Sequence, residues 1–206
     1  MVKKRIKRGI RVSRYVIYKE TLVDYREHFW SFIGALIGIG LIALFQSHLL
    51  TKDENIFLIG SFGASSVLIY GAIQSPLAQP RNLVGGHLFS AIVGVTVYKL
   101  FPDIIWITAP VAVAFSIVVM QITKTLHPPG GATALIAVIG SQKIKALGFM
   151  YILSPVLTGS FILLIVALIF NNITPHRKYP TDKRFTNSIK RMFIKKKIVG
   201  IEAEPN

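Results

Sequence analysis

Residues Thr125 to Leu135 read Thr-Leu-His-Pro-Pro-Gly-Gly-Ala-Thr-Ala-Leu. Pro128 and Pro129 fix φ and carry no backbone N–H, so a helix cannot run through His127 into them. Gly130 and Gly131 permit close backbone approach, and Ala132, Thr133, Ala134 and Leu135 can open a short helix. The stretch therefore predicts an extended piece handing over to a helix N-terminus. In a bilayer such a break survives only where protein or a water-filled cavity satisfies the freed backbone groups.

The surroundings are apolar enough to make the bilayer the relevant solvent. The chain has 206 residues, 52% of them hydrophobic and 16% charged, with a mean hydropathy of +0.55. A soluble domain of this size seldom carries so little charge, so the composition selects a membrane protein. Cysteine is absent, which excludes disulfides and thiolate metal sites, and no metal or cofactor is expected. No cleavable signal is visible at the N-terminus.

The formal net charge of +15 is concentrated at the ends. Residues 1–28 hold nine Lys/Arg, residues 172–206 hold nine, and six lie between. That division argues against a nucleic-acid reader, which needs the charge on a folded face with stacking aromatics. It fits two cytoplasmic tails, 1–28 and 172–206, flanking a membrane domain at 29–171 and attracting anionic lipid headgroups. For the first tail, a solvated chain and an interfacial amphipathic helix are both open readings.

Within 29–171 the pattern predicts an all-α, polytopic protein. Long apolar spans cover Phe29 to Leu50, Asn82 to Phe101, Ile104 to Gln121 and Leu147 to Phe170. Gly34 and Gly38, in Gly-x-x-x-Gly spacing, suit close helix packing and would also permit a homo-oligomer. Ile56 to Ile73 is apolar but interrupted by small and hydroxyl residues at its centre.

Gly63-Ala64-Ser65-Ser66-Val67-Leu68 and Gly131-Ala132-Thr133-Ala134-Leu135-Ile136 share one pattern. Each follows a long span and precedes another, which divides the domain into units 29–101 and 104–171, each long–broken–long. About six extended residues and about eleven helical ones cover about 36 Å, enough for a hydrocarbon core of about 30 Å. Three crossings per unit make the second unit inverted relative to the first. Inverted repeats with discontinuous helices are a transporter arrangement, with the site at mid-membrane. Two opposed helix N-termini there would favour a small anion.

The run His127 to Leu135 resembles the signature of the HPP family of small integral membrane proteins. Gly63 to Leu68, Ser75-Pro76-Leu77-Ala78-Gln79-Pro80-Arg81-Asn82 and Gly85-Gly86-His87 resemble that family too, so the likeness covers roughly residues 28–171. Some members, in cyanobacteria and chloroplasts, are associated with nitrite transport, which the resemblance implies as a substrate class.

The expected substrate site comprises Gly63, Ala64, Ser65, Ser66, His127, Pro128, Pro129, Gly130, Gly131, Ala132 and Thr133. The hydroxyls of Ser65, Ser66 and Thr133 are anion donors or, equally, helix caps. His127 is a candidate gate, proton relay or substrate contact, with backbone bonding around Pro128 as its structural alternative. His87, on a continuous helix, reads as a satisfied packing histidine. Arg81 would steer anions at a cytoplasmic mouth or anchor to lipid phosphate. Asp53, Glu54 and Asp103 sit in turns, so no acid/base pair is seen and an enzyme is not expected. The expected function is a transporter or channel for a small inorganic anion. The alternative is a membrane sensor or scaffold whose tails bind lipid or a partner. A prokaryotic plasma membrane is the expected location.

Overall fold

The computed structural model describes residues 25–48 and 60–181. The first tail up to residue 24, the turn at 51–55 and the second tail beyond 181 lie outside the described residues. Among those described, the fold is all-helical.

Helix α1 is Tyr25–Ser47. Helix α2 is described from residue 60 and ends in a π-helical turn, Val67–Gly71. After a short 3₁₀ turn, Pro76–Ala78, come α3 (Pro80–Leu100) and α4 (Ile105–Ile122). Helix α5 is Pro128–Ile139, α6 is the short Gln142–Ala146, and α7 is Ile152–Phe170. Four of these, α1, α3, α4 and α7, are long and apolar enough to cross a membrane. Large side chains such as Phe32, Leu36, Trp106, Phe115 and Ile165 are exposed on their outer faces. A soluble surface would not carry so continuous an apolar face, and the protein is an integral membrane protein.

The ends of the helices pair on two opposite faces. At one, which we term the tail face, Arg177 Nη1 lies 2.7 Å from Glu27 Oε2 near the start of α1. There too the Tyr179 hydroxyl donates to the Ala78 carbonyl at 2.7 Å. At the other, Lys145 Nζ lies 3.1 Å from Asp103 Oδ2. The ordered structure thus continues past residue 171, and Arg177 is buried rather than part of a basic tail.

Small residues set the spacing. Gly34, Gly38, Ile42 and Gln46 recur every four residues and form the buried stripe of α1. A Cβ on Gly34 would lie 2.7 Å from Tyr70 Cδ1, so this Gly-x-x-x-Gly pair serves packing within the chain. On α3 the stripe is Gly86, Ser90 and Gly94, and it faces α5. At Gly94 a Cβ would sit 2.6 Å from the Ala134 carbonyl oxygen.

The breaks differ from the expected pattern. Helix α2 is interrupted after Ser66, at its tail-face end, so Gly63 to Ser66 lie inside the helix rather than at its start. Helix α5 is interrupted before Pro128. The turn at Thr123 and Lys124, with Lys124 at φ 57°, leaves three extended residues ahead of α5 rather than about six. Its 12 residues rise about 18 Å, short of a hydrocarbon core of about 30 Å. Both breaks lie at the tail face, and two helix N-termini do not oppose each other at the midplane. Helix α7 has a further break, at Ser154 (φ −136°, ψ 122°), ahead of Pro155 and its missing N–H.

The glycine spacing is directly testable. Gly94→Ala should destabilise the fold by about 1–3 kcal/mol through overpacking against α5, read as a lower melting temperature in detergent. Gly40→Ala, where a Cβ meets nothing within 4 Å, should leave that temperature unchanged.

Candidate functional site

The two motifs meet on His87. Ser65 from α2 and Thr133 from α5 occupy equivalent positions in the shared Gly-Ala-hydroxyl pattern, and they flank the same imidazole. Ser65 Oγ lies 2.8 Å from His87 Nε2, and Thr133 Oγ1 lies 2.7 Å from His87 Nδ1. Ser65 Oγ is also 2.9 Å from His127 Nε2. His127 Nδ1 then donates to the Leu77 carbonyl at 2.9 Å. All four side chains are buried, so a continuous hydroxyl–imidazole chain crosses from α5 to the loop ahead of α3.

Local chemistry builds each piece. His127 sits in an extended conformation (φ −141°, ψ 103°) because the following proline excludes helix there. Gly86 lets His127 approach: a Cβ on Gly86 would collide with the His127 side chain. His87 follows on the same buried face of α3, its ring centroid 5.0 Å from that of His127. The freed carbonyls of the break are satisfied by α3. Arg81 Nη2 donates to the Thr123 carbonyl at 2.6 Å, and Asn82 Nδ2 to the Leu126 carbonyl at 2.7 Å. Arg81 thus caps backbone, a role not foreseen for it.

The start of α5 carries few amide donors. Pro128 and Pro129 have no N–H, and Gly130 N–H bonds to the His127 carbonyl at 2.8 Å. The anion-binding amides expected at this N-terminus are therefore largely missing, and side chains dominate the polar chemistry. The chain of contacts also lies off the midplane. His87 is seven positions into α3, about 10 Å from its tail-face end, in a helix about 32 Å long.

The other expected residues are scattered. Ser66 is buried with no hydrogen-bond partner for its hydroxyl. Gly63 is half-buried and Ala64 exposed, so neither joins the cluster. Pro128 is exposed, Pro129 buried, and Gly131 and Ala132 half-buried. Gly131 has room for a side chain, its nearest neighbour being Val113 Cγ1 at 3.8 Å. Gly130 is the crowded one, since a Cβ there would sit 2.7 Å from Ser90 Oγ. Ser90, buried and without a partner for its hydroxyl, was not anticipated. His87 is fully buried on a continuous helix with both ring nitrogens partnered, as a satisfied histidine would be, and its partners come from both motifs.

A polar cleft of about 400 Å³ opens at the tail face, lined by Gln74, Gln79, Arg81, Asn82, Lys124 and Thr181 among others. Among the described residues it holds two cationic side chains and no carboxylate. Leu77 and Leu126, whose carbonyls bond to His127 and Asn82, lie between this cleft and the buried chain of contacts. Among the described residues no group of three or more His, Asp or Glu is placed to hold a metal ion.

Comparison with known proteins supplies context. A family model described as the HPP transmembrane region matches residues 20–180. Two proteins of Dictyostelium discoideum, each named only as a transmembrane protein, are 48% and 42% identical to this chain over 160 residues, 76% of its length. The chain spans about half the length of these relatives, 51% and 56%. No solved structure matches it.

Thr133→Val keeps the shape of that side chain but leaves His87 Nδ1 without its partner. We expect a loss of about 1–3 kcal/mol, measured as reduced thermal stability of the purified protein in detergent.

Proposed function

Because the chain belongs to the HPP transmembrane family, we propose that it carries a small inorganic anion across the membrane, nitrite being the first to test. One observation carries this reading: two separated motifs converge on a buried chain of neutral donors beside a cationic cleft. Arg81 and Lys124 draw an anion toward that cleft, which among the described residues has no carboxylate to repel it. The hydroxyls of Ser65 and Thr133 and the imidazole N–H groups then replace its hydration shell. Ser66 and Ser90 add two buried hydroxyls that lack partners among the described residues. Such unsatisfied groups are costly unless a ligand engages them.

The buried chain is closed in this state. Parting of His127 from the Leu77 carbonyl would join it to the cleft, and that movement is the proposed tail-side gate. The positive-inside bias of the sequence supports a cytoplasmic tail face. The prokaryotic plasma membrane expected from the sequence gains no support from the relatives, which are eukaryotic.

Purified protein in liposomes should accelerate nitrite uptake above that of protein-free vesicles. Ser65→Ala, which removes the hydroxyl that bridges the two imidazoles, should slow it by at least about tenfold. Wild-type protein that moves neither nitrite nor nitrate under any imposed gradient would instead support the scaffold reading.

A further inference from the structure

Donor bookkeeping assigns every proton in the buried chain. The Leu77 carbonyl can only accept, so His127 carries its hydrogen on Nδ1. In the neutral ring Nε2 is then an acceptor, and Ser65 O–H donates to it across 2.9 Å. With its proton committed, Ser65 Oγ accepts from His87 Nε2–H at 2.8 Å. His87 Nδ1 is left to accept from Thr133 O–H at 2.7 Å. Four hydrogen bonds, from Thr133 through His87, Ser65 and His127 to Leu77, therefore point one way.

The same atoms accommodate one more proton. Protonation of His127 Nε2 turns it from acceptor to donor. Ser65 then accepts from His127 Nε2–H and turns its own O–H to His87 Nε2, while His87 carries its hydrogen on Nδ1 and donates to Thr133 Oγ1. At the other end Thr133 has a second acceptor in Ser61 Oγ, at 3.4 Å. Every one of these groups keeps a partner in both protonation states. A chain built only to fill space would need one arrangement.

We propose that this chain is a proton relay, and that one proton accompanies each monovalent anion carried. The inference rests on the anion-transport reading above. A proton bonds to His87 Nδ1 as Thr133 turns away. The Nε2–H bond of His87 breaks toward Ser65 Oγ, and the Ser65 hydrogen passes to His127 Nε2. The net result is one proton gained, a neutral Ser65 and an imidazolium at His127. Facing groups from α2 (Ser61, Ser65), α5 (Thr133), the loop (Leu77) and the residue just ahead of α7 (Tyr151, whose hydroxyl donates to the Thr133 carbonyl at 2.9 Å) are all uncharged. The described carboxylates, Glu27 and Asp103, are paired elsewhere with Arg177 and Lys145. Arg81 and Lys124 line the adjoining cleft, so among the described residues no carboxylate is placed to neutralise the imidazolium, and a transported anion supplies that charge.

The test is full-length protein in liposomes that enclose a pH-sensitive dye, with nitrate as a strong-acid probe and nitrite compared against protein-free vesicles. An inward anion gradient should acidify the interior, one proton per anion. Uptake should be electrically silent and rise by up to about tenfold for each unit of external acidification. Ser65→Ala should abolish the acidification, and Ser65→Thr, which retains the hydroxyl, should restore part of it. Anion uptake that builds a membrane potential and leaves the internal pH unchanged overturns the relay while sparing the transport reading. If no anion moves, collapse of an imposed pH gradient that depends on the Ser65 hydroxyl sustains the relay and sinks the transport reading. If the pH gradient also persists, both fall.

Discussion

A backbone carbonyl deprived of its helical partner inside a membrane must find a donor within the protein, and this fold is arranged around that requirement. At the break before α5 the donors are Arg81 and Asn82, reaching across from the first turn of α3. At the π-helical end of α2 they come from further away. Asn171 Nδ2 donates to the Ile69 carbonyl at 2.7 Å, while Ser31 and Arg177 both donate to that of Tyr70, at 2.6 and 2.9 Å. Elements distant in sequence are thereby tied to the same face. The breaks are the reason the tail-face ends of the helices are held together.

The second requirement is close approach. The buried imidazoles could not meet Ser65 unless α3 and α5 touched along Gly86, Ser90 and Gly94. Glycine at those positions weakens a helix by about 1 kcal/mol relative to alanine in water. Here it permits a polar chain to be walled in by backbone instead of bulky side chains, which keeps water and lipid away from it. Packing and chemistry are consequences of the same residues.

Much of this was legible in the sequence. Long apolar runs announce α1, α3, α4 and α7, because twenty-residue hydropathy is a strong signal in lipid. The double proline marks the start of α5 to the residue. The position of the other break was not legible, since Gly63 to Ser66 are compatible with helix when neighbours pack against them, and the π-turn follows from tertiary partners such as Asn171 and Arg177. The partners of His87 were not legible for a related reason. Spacing along one helix says which face a histidine occupies, but not which hydroxyls arrive from two other helices to meet it. Arg177 stands in a run of basic residues, and nothing local distinguishes it from a lipid-facing charge; only its partner Glu27, 150 positions away, does so.

The pair of prolines at the head of α5 has an evolutionary corollary. By stripping the first turn of amides, it leaves recognition to hydroxyls and imidazoles, which single codons can rewrite. A binding cradle made of main chain is nearly immune to such edits. Descendants of this scaffold can therefore alter that polar chemistry by point substitution while the architecture stands still.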